Sequence, residues 1–375
     1  GTTGVVAKRL HRKWIGIALF VGVLFAYEWL DLWADPRATA VAILVYFALA
    51  LVVDAVFRGA TFCKWICPIG QFNFLASTCS PFEVVAKDAA VCGACATKDC
   101  IRGRREASDP RRGCELALFL PEKVGNLDCT FCLDCVQACP TDNVAIQARV
   151  PADELAVDPV RSGLGRLSRR WDLAVLAVLF TFGALLNAFG MVAPVYAFQA
   201  WIAERLGTQS DFVVLGVLFL LCLGVAPMLV VGTCAWLTAR NTLAGPGAQA
   251  RRFALSLVPL GFGVWLAHYS FHFLTGLWTF VPVGHAALLD LGWSGLGRPS
   301  WGLGGLPAAA VWPIEVAFVA LGLVGALGLT WRIAARDVGA RSAALAAPWW
   351  TLQVGLAALS LWLLAQPMEM RGTFL

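Results

Sequence analysis

The chain has 375 residues, 59% of them hydrophobic and only 14% charged, with a net charge of +5. Soluble domains carry roughly a quarter charged residues, so this composition, with a mean hydropathy of +0.72, excludes an ordinary soluble domain. No basic run is interleaved with aromatics, which excludes nucleic acid as a partner.

In chain order, Lys8, Arg9, Arg12 and Lys13 lead into the first of seven apolar stretches, each near the ~20 residues that a spanning helix needs. They cover 14–33, 38–57, 171–194, 212–237, 253–274, 311–333 and 349–365. The first is long and others follow it, so a span is expected there rather than a cleaved signal peptide. Sixteen Trp and 23 Phe suit a chain that meets lipid and its interfaces.

The loops alternate in charge. Arg102, Arg104, Arg105, Arg111, Arg112, Arg166, Arg169 and Arg170 fall in the long polar insert between the second and third stretches. Arg240, Arg251 and Arg252 follow the fourth stretch, and Arg332, Arg336 and Arg341 follow the sixth. The other loops, 31–37, 195–211 and 275–310, hold only Arg37, Arg205 and Arg298. The positive-inside rule then places the N-terminus and the polar insert in the cytoplasm and the C-terminal tail outside a bacterial-type inner membrane.

Eleven of the 13 cysteines lie between Cys63 and Cys139, in close-spaced groups. On the reducing side of a membrane this pattern predicts metal ligation rather than disulfides. In Cys129-x2-Cys132-x2-Cys135-x3-Cys139-Pro140, three thiolates wrap one cubane and the fourth cysteine serves another. The second ligand group is Cys92-x2-Cys95-x4-Cys100, followed by Cys114. The expected partition is Cys129, Cys132, Cys135 and Cys114 around one [4Fe–4S] cluster, with Cys92, Cys95, Cys100 and Cys139 around the other. Structural zinc suits paired Cys-x2-Cys groups, but leaves the third cysteine and the Cys-Pro ending unexplained.

Cys63 and Cys67, four apart, share a helix face at the membrane edge. With Cys79 or Cys234 they are candidates for a third metal centre; packing as small apolar residues is the alternative. Cys222, within a span, is expected simply to pack. A weak internal repeat relates the Cys63-Lys-Trp65 segment to Cys234-Ala-Trp236, with Thr238 in place of the second cysteine.

His268 and His272 lie on one face of one span and cannot bracket a single haem, which argues against that cofactor. A histidine in a span is a functional candidate by default, here as a proton acceptor for quinol, with a hydrogen bond inside the bundle as the alternative. His285 lies in an outer loop and His11 in the basic leader. Asp54 and Glu315 are candidates for proton relay or for pairing with Arg. Met368-x-Met370 has the pattern of a copper(I) site, without a supporting His or Cys.

The segment Phe62-Cys-Lys-Trp-Ile-Cys-Pro-Ile-Gly-Gln71, at the end of a span and followed by ferredoxin-type cysteine runs, resembles the membrane polyferredoxins of the NapH, NosR and CcoG type. The likeness covers 58–143 well and the bundle in outline. It departs at the degenerate Cys234 segment, at the x4 spacing before Cys100 and in the Arg-rich insertion before Cys114. The resemblance implies electron supply to reductases or a role in oxidase assembly.

These readings combine into an all-α transmembrane bundle of about seven helices with an inserted cytoplasmic α+β ferredoxin-like two-cluster domain. Its expected parts are 1–57 (two spans), 58–90 (the Cys-x3-Cys-Pro edge), 91–150 (the cluster domain), 151–170 (a basic linker) and 171–375 (the remaining spans). The expected function is electron transfer between the clusters and the quinone pool or an outer-side partner. Membrane lipid and soluble ferredoxin or reductase subunits are its expected partners, with Arg102–Arg112 as a docking face or as topogenic charge. A copper-reducing assembly factor and a relay subunit of a larger complex remain open.

Overall fold

The computed structural model describes residues 12–57, 59–104, 108–293, 295, 297–338 and 342–367. His11, Met368 and Met370 lie outside the described residues.

Helices dominate, because long runs of Leu, Val, Ala and Phe bury poorly as strands but satisfy every backbone group internally as helices. Among the described residues six are long and apolar enough to cross a membrane: Pro36–Val56, Trp171–Phe189, Asp211–Ala239, Pro246–Thr275, Ala308–Arg336 and Ser342–Leu364. The first expected span is shorter, a 16-residue helix over Trp14–Trp29. It stops where Asp31 takes a left-handed φ of 45° and Asp35 caps the next helix, its side chain accepting from the Arg37 and Ala38 N–H groups. Pro36 opens that helix, where its missing N–H costs nothing.

Two helices carry π-turns that apolar periodicity does not reveal. Leu220–Val225 widens just before Pro227, whose ring would otherwise press on the carbonyl of Leu223. Phe62–Ile66 forms the second, ending at Cys67. The loops 195–211 and 275–310, poor in Lys and Arg, also carry helices, Ala193–Leu206 and Phe280–Asp290.

The bundle core forms around close helix crossings. A Cβ on Gly263 or on Gly322 would collide with backbone of the facing helix, so these glycines let the two helices touch. Trp265 Nε1 donates to Phe180 O at 2.9 Å, and Trp349 stacks on Phe253 while its Nε1 donates to Thr238 Oγ1 at 2.9 Å. The Pro36–Val56 helix differs: none of its residues is buried, and Leu44 and Leu51 are 69% and 74% exposed.

Between the second and third spans, strand β1 (Phe82–Ala86) pairs antiparallel with β2 (Val144–Ala148), Val84 opposite Ile146. This sheet closes the ends of the segment that carries eight cysteines. Short helices Ala89–Ala94 and Asp134–Ala138 lie inside the closure. Val84, Leu120 and Val144 form its small core, with Cys100, Cys135 and Cys139 packed against them.

The insert is clamped to the bundle by basic side chains. Arg252 donates to Leu155 O and Ala156 O at 3.1 and 2.6 Å, Arg332 pairs with Asp153 at 2.9 Å, and Arg251 Nε donates to Ser168 O at 2.7 Å. Charges read in the sequence as topogenic are therefore also structural.

Candidate metal centres

The loop before Cys129 is held from below. Glu154, buried, accepts from the N–H groups of Asn126 and Leu127 at 2.8 and 3.1 Å and pairs with Arg149. Cys129 N–H then donates to Asn126 O at 2.8 Å. Asp128, Phe131 and Leu133 all have left-handed φ, at 62°, 58° and 66°. Such reversals turn successive N–H groups toward one side of a tight loop, which is how three cysteines two residues apart come to face a common centre.

The thiols fall into two sets. Burial pushes Cys135 up to about 12, and its next three influences are Cys114, Cys129 and Cys132. Cys129 is raised by burial too, and Cys114 and Cys132 act on it as well. Cys100 is raised by burial and then by Cys139, Cys92 and Cys95. The eight cysteines thus lie as Cys114, Cys129, Cys132 and Cys135, and as Cys92, Cys95, Cys100 and Cys139. Burial alone would raise Cys139, but the Thr141 hydroxyl and the N–H groups of Asn143, Thr141 and Val144 outweigh it and bring it below the usual thiol value. Asn143 bridges its set: its N–H donates to Cys139 Sγ and its Nδ2 to Cys92 Sγ, each at 3.2 Å.

Four thiolates grouped this closely repel one another, and an iron–sulfur cluster supplies the positive charge that lets them ionise together. Among the described residues no three His, Cys, Asp or Glu side chains are grouped to hold a metal ion. A cubane takes four thiolates, one to each iron, which is the number of thiols in each set.

At the membrane edge the π-turn brings Cys63 beside Cys67. Burial, then Cys67, Asp54 and Glu115 raise the Cys63 thiol. Cys67 Sγ accepts from Gly70 N–H at 3.0 Å and lies 2.6 Å from Tyr46 Oη. Asp54 accepts from Phe62 N–H at 3.0 Å, so it caps this turn. Cys79 lies apart: it is pushed up to about 12 by burial and sits near the Thr78 hydroxyl, Glu154 and Arg149. Cys234 is buried in the bundle and donates to Pro348 O at 3.3 Å. The structure therefore groups Cys63 with Cys67, and places Cys79 and Cys234 in other surroundings.

Lys13, read from the sequence as part of a basic leader, is 1% exposed. Its Nζ donates to Lys64 O at 2.7 Å and Asp128 Oδ1 at 3.0 Å, and it sits 4.1 Å from the Phe74 ring centroid. Burial pulls it below the usual lysine range. Its backbone N–H donates to Asp172 Oδ2 at 2.8 Å, and Arg170 holds that carboxylate. One buried network thus joins the starts of two helices, the Cys63 turn and the Cys129 loop. Lys13, Asn126, Asp128 and Glu154 carried no spacing signal; only their burial reveals them.

His268 and His272 stack edge to face at 4.8 Å, and neither ring nitrogen of His268 has a hydrogen-bond partner among the described residues. His272 lines a cavity of about 400 Å³ with Tyr27, Glu28 and Asn187.

A family model described as a 4Fe-4S binding domain matches residues 39–77. No curated protein and no solved structure matches the chain. The matched segment holds most of the exposed Pro36–Val56 helix, with Cys63 and Cys67. With six helices able to cross a membrane, it fits an iron–sulfur protein of the membrane.

Proposed function

We propose that the chain is an integral membrane electron-transfer protein of the polyferredoxin kind, akin to the NapH, NosR and CcoG type. Cys114, Cys129, Cys132 and Cys135 hold one [4Fe–4S] cluster, and Cys92, Cys95, Cys100 and Cys139 hold a second. The observation that carries this reading is the division of eight thiols into two sets of four, Cys135 close to Cys114, Cys129 and Cys132, and Cys100 close to Cys139, Cys92 and Cys95. Bound clusters supply one-electron chemistry, at potentials set by charge, exposure and hydrogen bonds to sulfur. This chain's residues tune them: Asn143 donates to two sulfurs of one set, and Lys13 and Asp128 lie beside the other.

The insert, 91–150, is a ferredoxin-like domain on the cytoplasmic side of the inner membrane, a reading supported by the basic alternate loops. It exchanges electrons with a soluble redox protein or a reductase subunit, for which the exposed Arg102 and Arg112 form an acidic-partner face. The membrane side exchanges with the quinone pool. Cys63 and Cys67, within the matched segment, are the candidates for a further centre.

Anaerobic purification with iron counting and EPR of the reduced protein tests the reading. Two cubanes give about eight irons per chain, and a third centre gives about twelve. Zinc in place of iron refutes it.

A further inference from the structure

Lys13 and Lys64 place two ammonium groups on one buried carboxylate, Asp128. We propose that Lys13 is the tuning residue of the Cys129 cluster, its buried charge raising the reduction potential there. The inference rests on the electron-transfer reading above and deepens it.

The charges in this network do not cancel. Lys13 Nζ donates to Asp128 Oδ1 at 3.0 Å, and Lys64 Nζ stands 3.7 Å from Asp128 Oδ2. The side chains of Lys13, Asp128 and Lys64 are 1%, 3% and 11% exposed. The surroundings of Lys13 favour its charged form. Lys64 O and the Asp128 carboxylate accept from it, and the Trp65 and Phe74 ring centroids lie 5.1 and 4.1 Å away. Lys64 and Arg170 act against the charge, but Arg170 is itself paired with Asp172 at 2.6 Å. A clamp on Asp128 needs a single cation. A second one buried beside it is costly unless another anion is near.

The position supplies that anion. Lys13, Lys64, Asp128, Cys63, Cys67 and Cys129 line one cavity of about 520 Å³. Asp128 directly precedes Cys129, and Lys64 directly follows Cys63. Lys13 Nζ bonds to both neighbours, so its charge is shared between the Cys63 turn and the Cys129 loop. A cubane with four thiolates is an anion, and one-electron reduction makes it more negative. A fixed cation favours the more negative state, and burial leaves its field weakly screened. Lys13 therefore pulls the potential of the adjoining cluster upward.

The test is an EPR-monitored redox titration of anaerobically purified protein, the Cys129 signal being identified by its loss in Cys135→Ala. Lys13→Met removes the charge, keeps the chain length and leaves the backbone bond to Asp172. At a fixed potential it should lower the reduced-to-oxidised ratio of that cluster about tenfold, a downward shift of about 59 mV. Asp128→Asn, which keeps an oxygen for Lys13 Nζ, should raise the ratio by a similar factor. Opposite signs mark an effect of charge, because a loosened loop would move both variants the same way. Lys64→Met should follow Lys13→Met downward, and with Asp128→Asn it decides the matter if Lys13→Met loses iron. Ratios within twofold of the parent, or shifts of one sign in the charge-removing Lys and Asp variants, overturn the proposal. A parent protein without iron refutes the cluster reading instead, so the two failures are distinguishable.

Discussion

Glu154 is the residue on which the Cys129 loop depends, and its removal has a calculable effect. In Glu154→Ala, the N–H groups of Asn126 and Leu127 lose their acceptor inside the protein. Each stranded N–H costs about 1–3 kcal/mol. Arg149, whose side chain is 7% exposed, also loses its carboxylate partner. Breaking a buried pair from one side costs about 3–5 kcal/mol. Arg149 keeps carbonyl acceptors at Ser77, Thr78 and Ser80, so the lower end applies to it. These effects overlap, and their sum is of order 5 kcal/mol, comparable to the stability of a small domain.

The loop from Asn126 to Cys129 is the first part to yield. Iron per chain should fall from about eight toward about four, with loss of the EPR signal that depends on Cys129. Glu154→Gln keeps one acceptor oxygen and should retain intermediate iron. Iron counting and EPR on anaerobically purified variants decide the matter. Full iron and an unchanged spectrum in Glu154→Ala would refute the reasoning, because the loop would then be held by its cluster alone.

Gly70→Ala should disrupt the Cys63–Cys67 turn, since a Cβ would collide with Cys63 O and displace the N–H that donates to Cys67 Sγ; any iron beyond that of two cubanes should vanish. Cys79→Ala should leave iron content unchanged, because Cys79 stands apart from both sets, whereas Cys135→Ala should lose a cluster; equal losses in the two variants would contradict the grouping. In iron-free protein, Cys135 is raised from 9.0 to about 12, and a raised folded value contributes stability below pH 9 that is lost as pH climbs toward 12. The urea midpoint of chelated protein should therefore fall between pH 8 and pH 10 while iron-loaded protein holds, and a rise in the chelated sample would reverse the sign.

What the sequence made legible follows from how local each signal is. Spans show in hydropathy because a spanning helix needs only apolar residues in number, and the Cys129–Cys139 spacing is itself the loop geometry. The end of the first helix at Trp29 was missed because Leu30, Leu32 and Trp33 continue the apolar run past the turn at Asp31. The π-turn at Leu220–Val225 was hidden because it uses the same residues as a straight helix. Lys13 reads in the sequence only as one of the basic residues before the first span, because its partner, Asp128, is 115 positions away. Asn126 and Glu154 belong to the same class, since a buried clamp leaves no periodic trace. The pairing of Cys63 with Cys79 or Cys234 looked open for the same reason: spacing fixes neighbours within a turn and not across the fold.

The cysteine segment has a physical problem that its anchoring answers. Val84, Leu120 and Val144 are its buried core among the described residues, too little apolar burial to order that length of chain unaided. Small domains in this position use staples. Two kinds are present here. The thiols themselves are part of the core wall, so on the proposed reading metal ligation and packing would coincide at Cys100, Cys135 and Cys139. The other kind is the set of charged clamps to the bundle: Lys13 on Asp128, Arg332 on Asp153, and Arg252 on Leu155 and Ala156. The clamps reach the loop of the Cys129 set, whereas the Cys92 set touches the rest through β1, β2 and Asn143. The two sets are thus unequal. The Cys129 set is tied to the start of the Trp14–Trp29 helix through Lys13 and Asp128, and among the described residues no ion pair ties the Cys92 set to the bundle in this way.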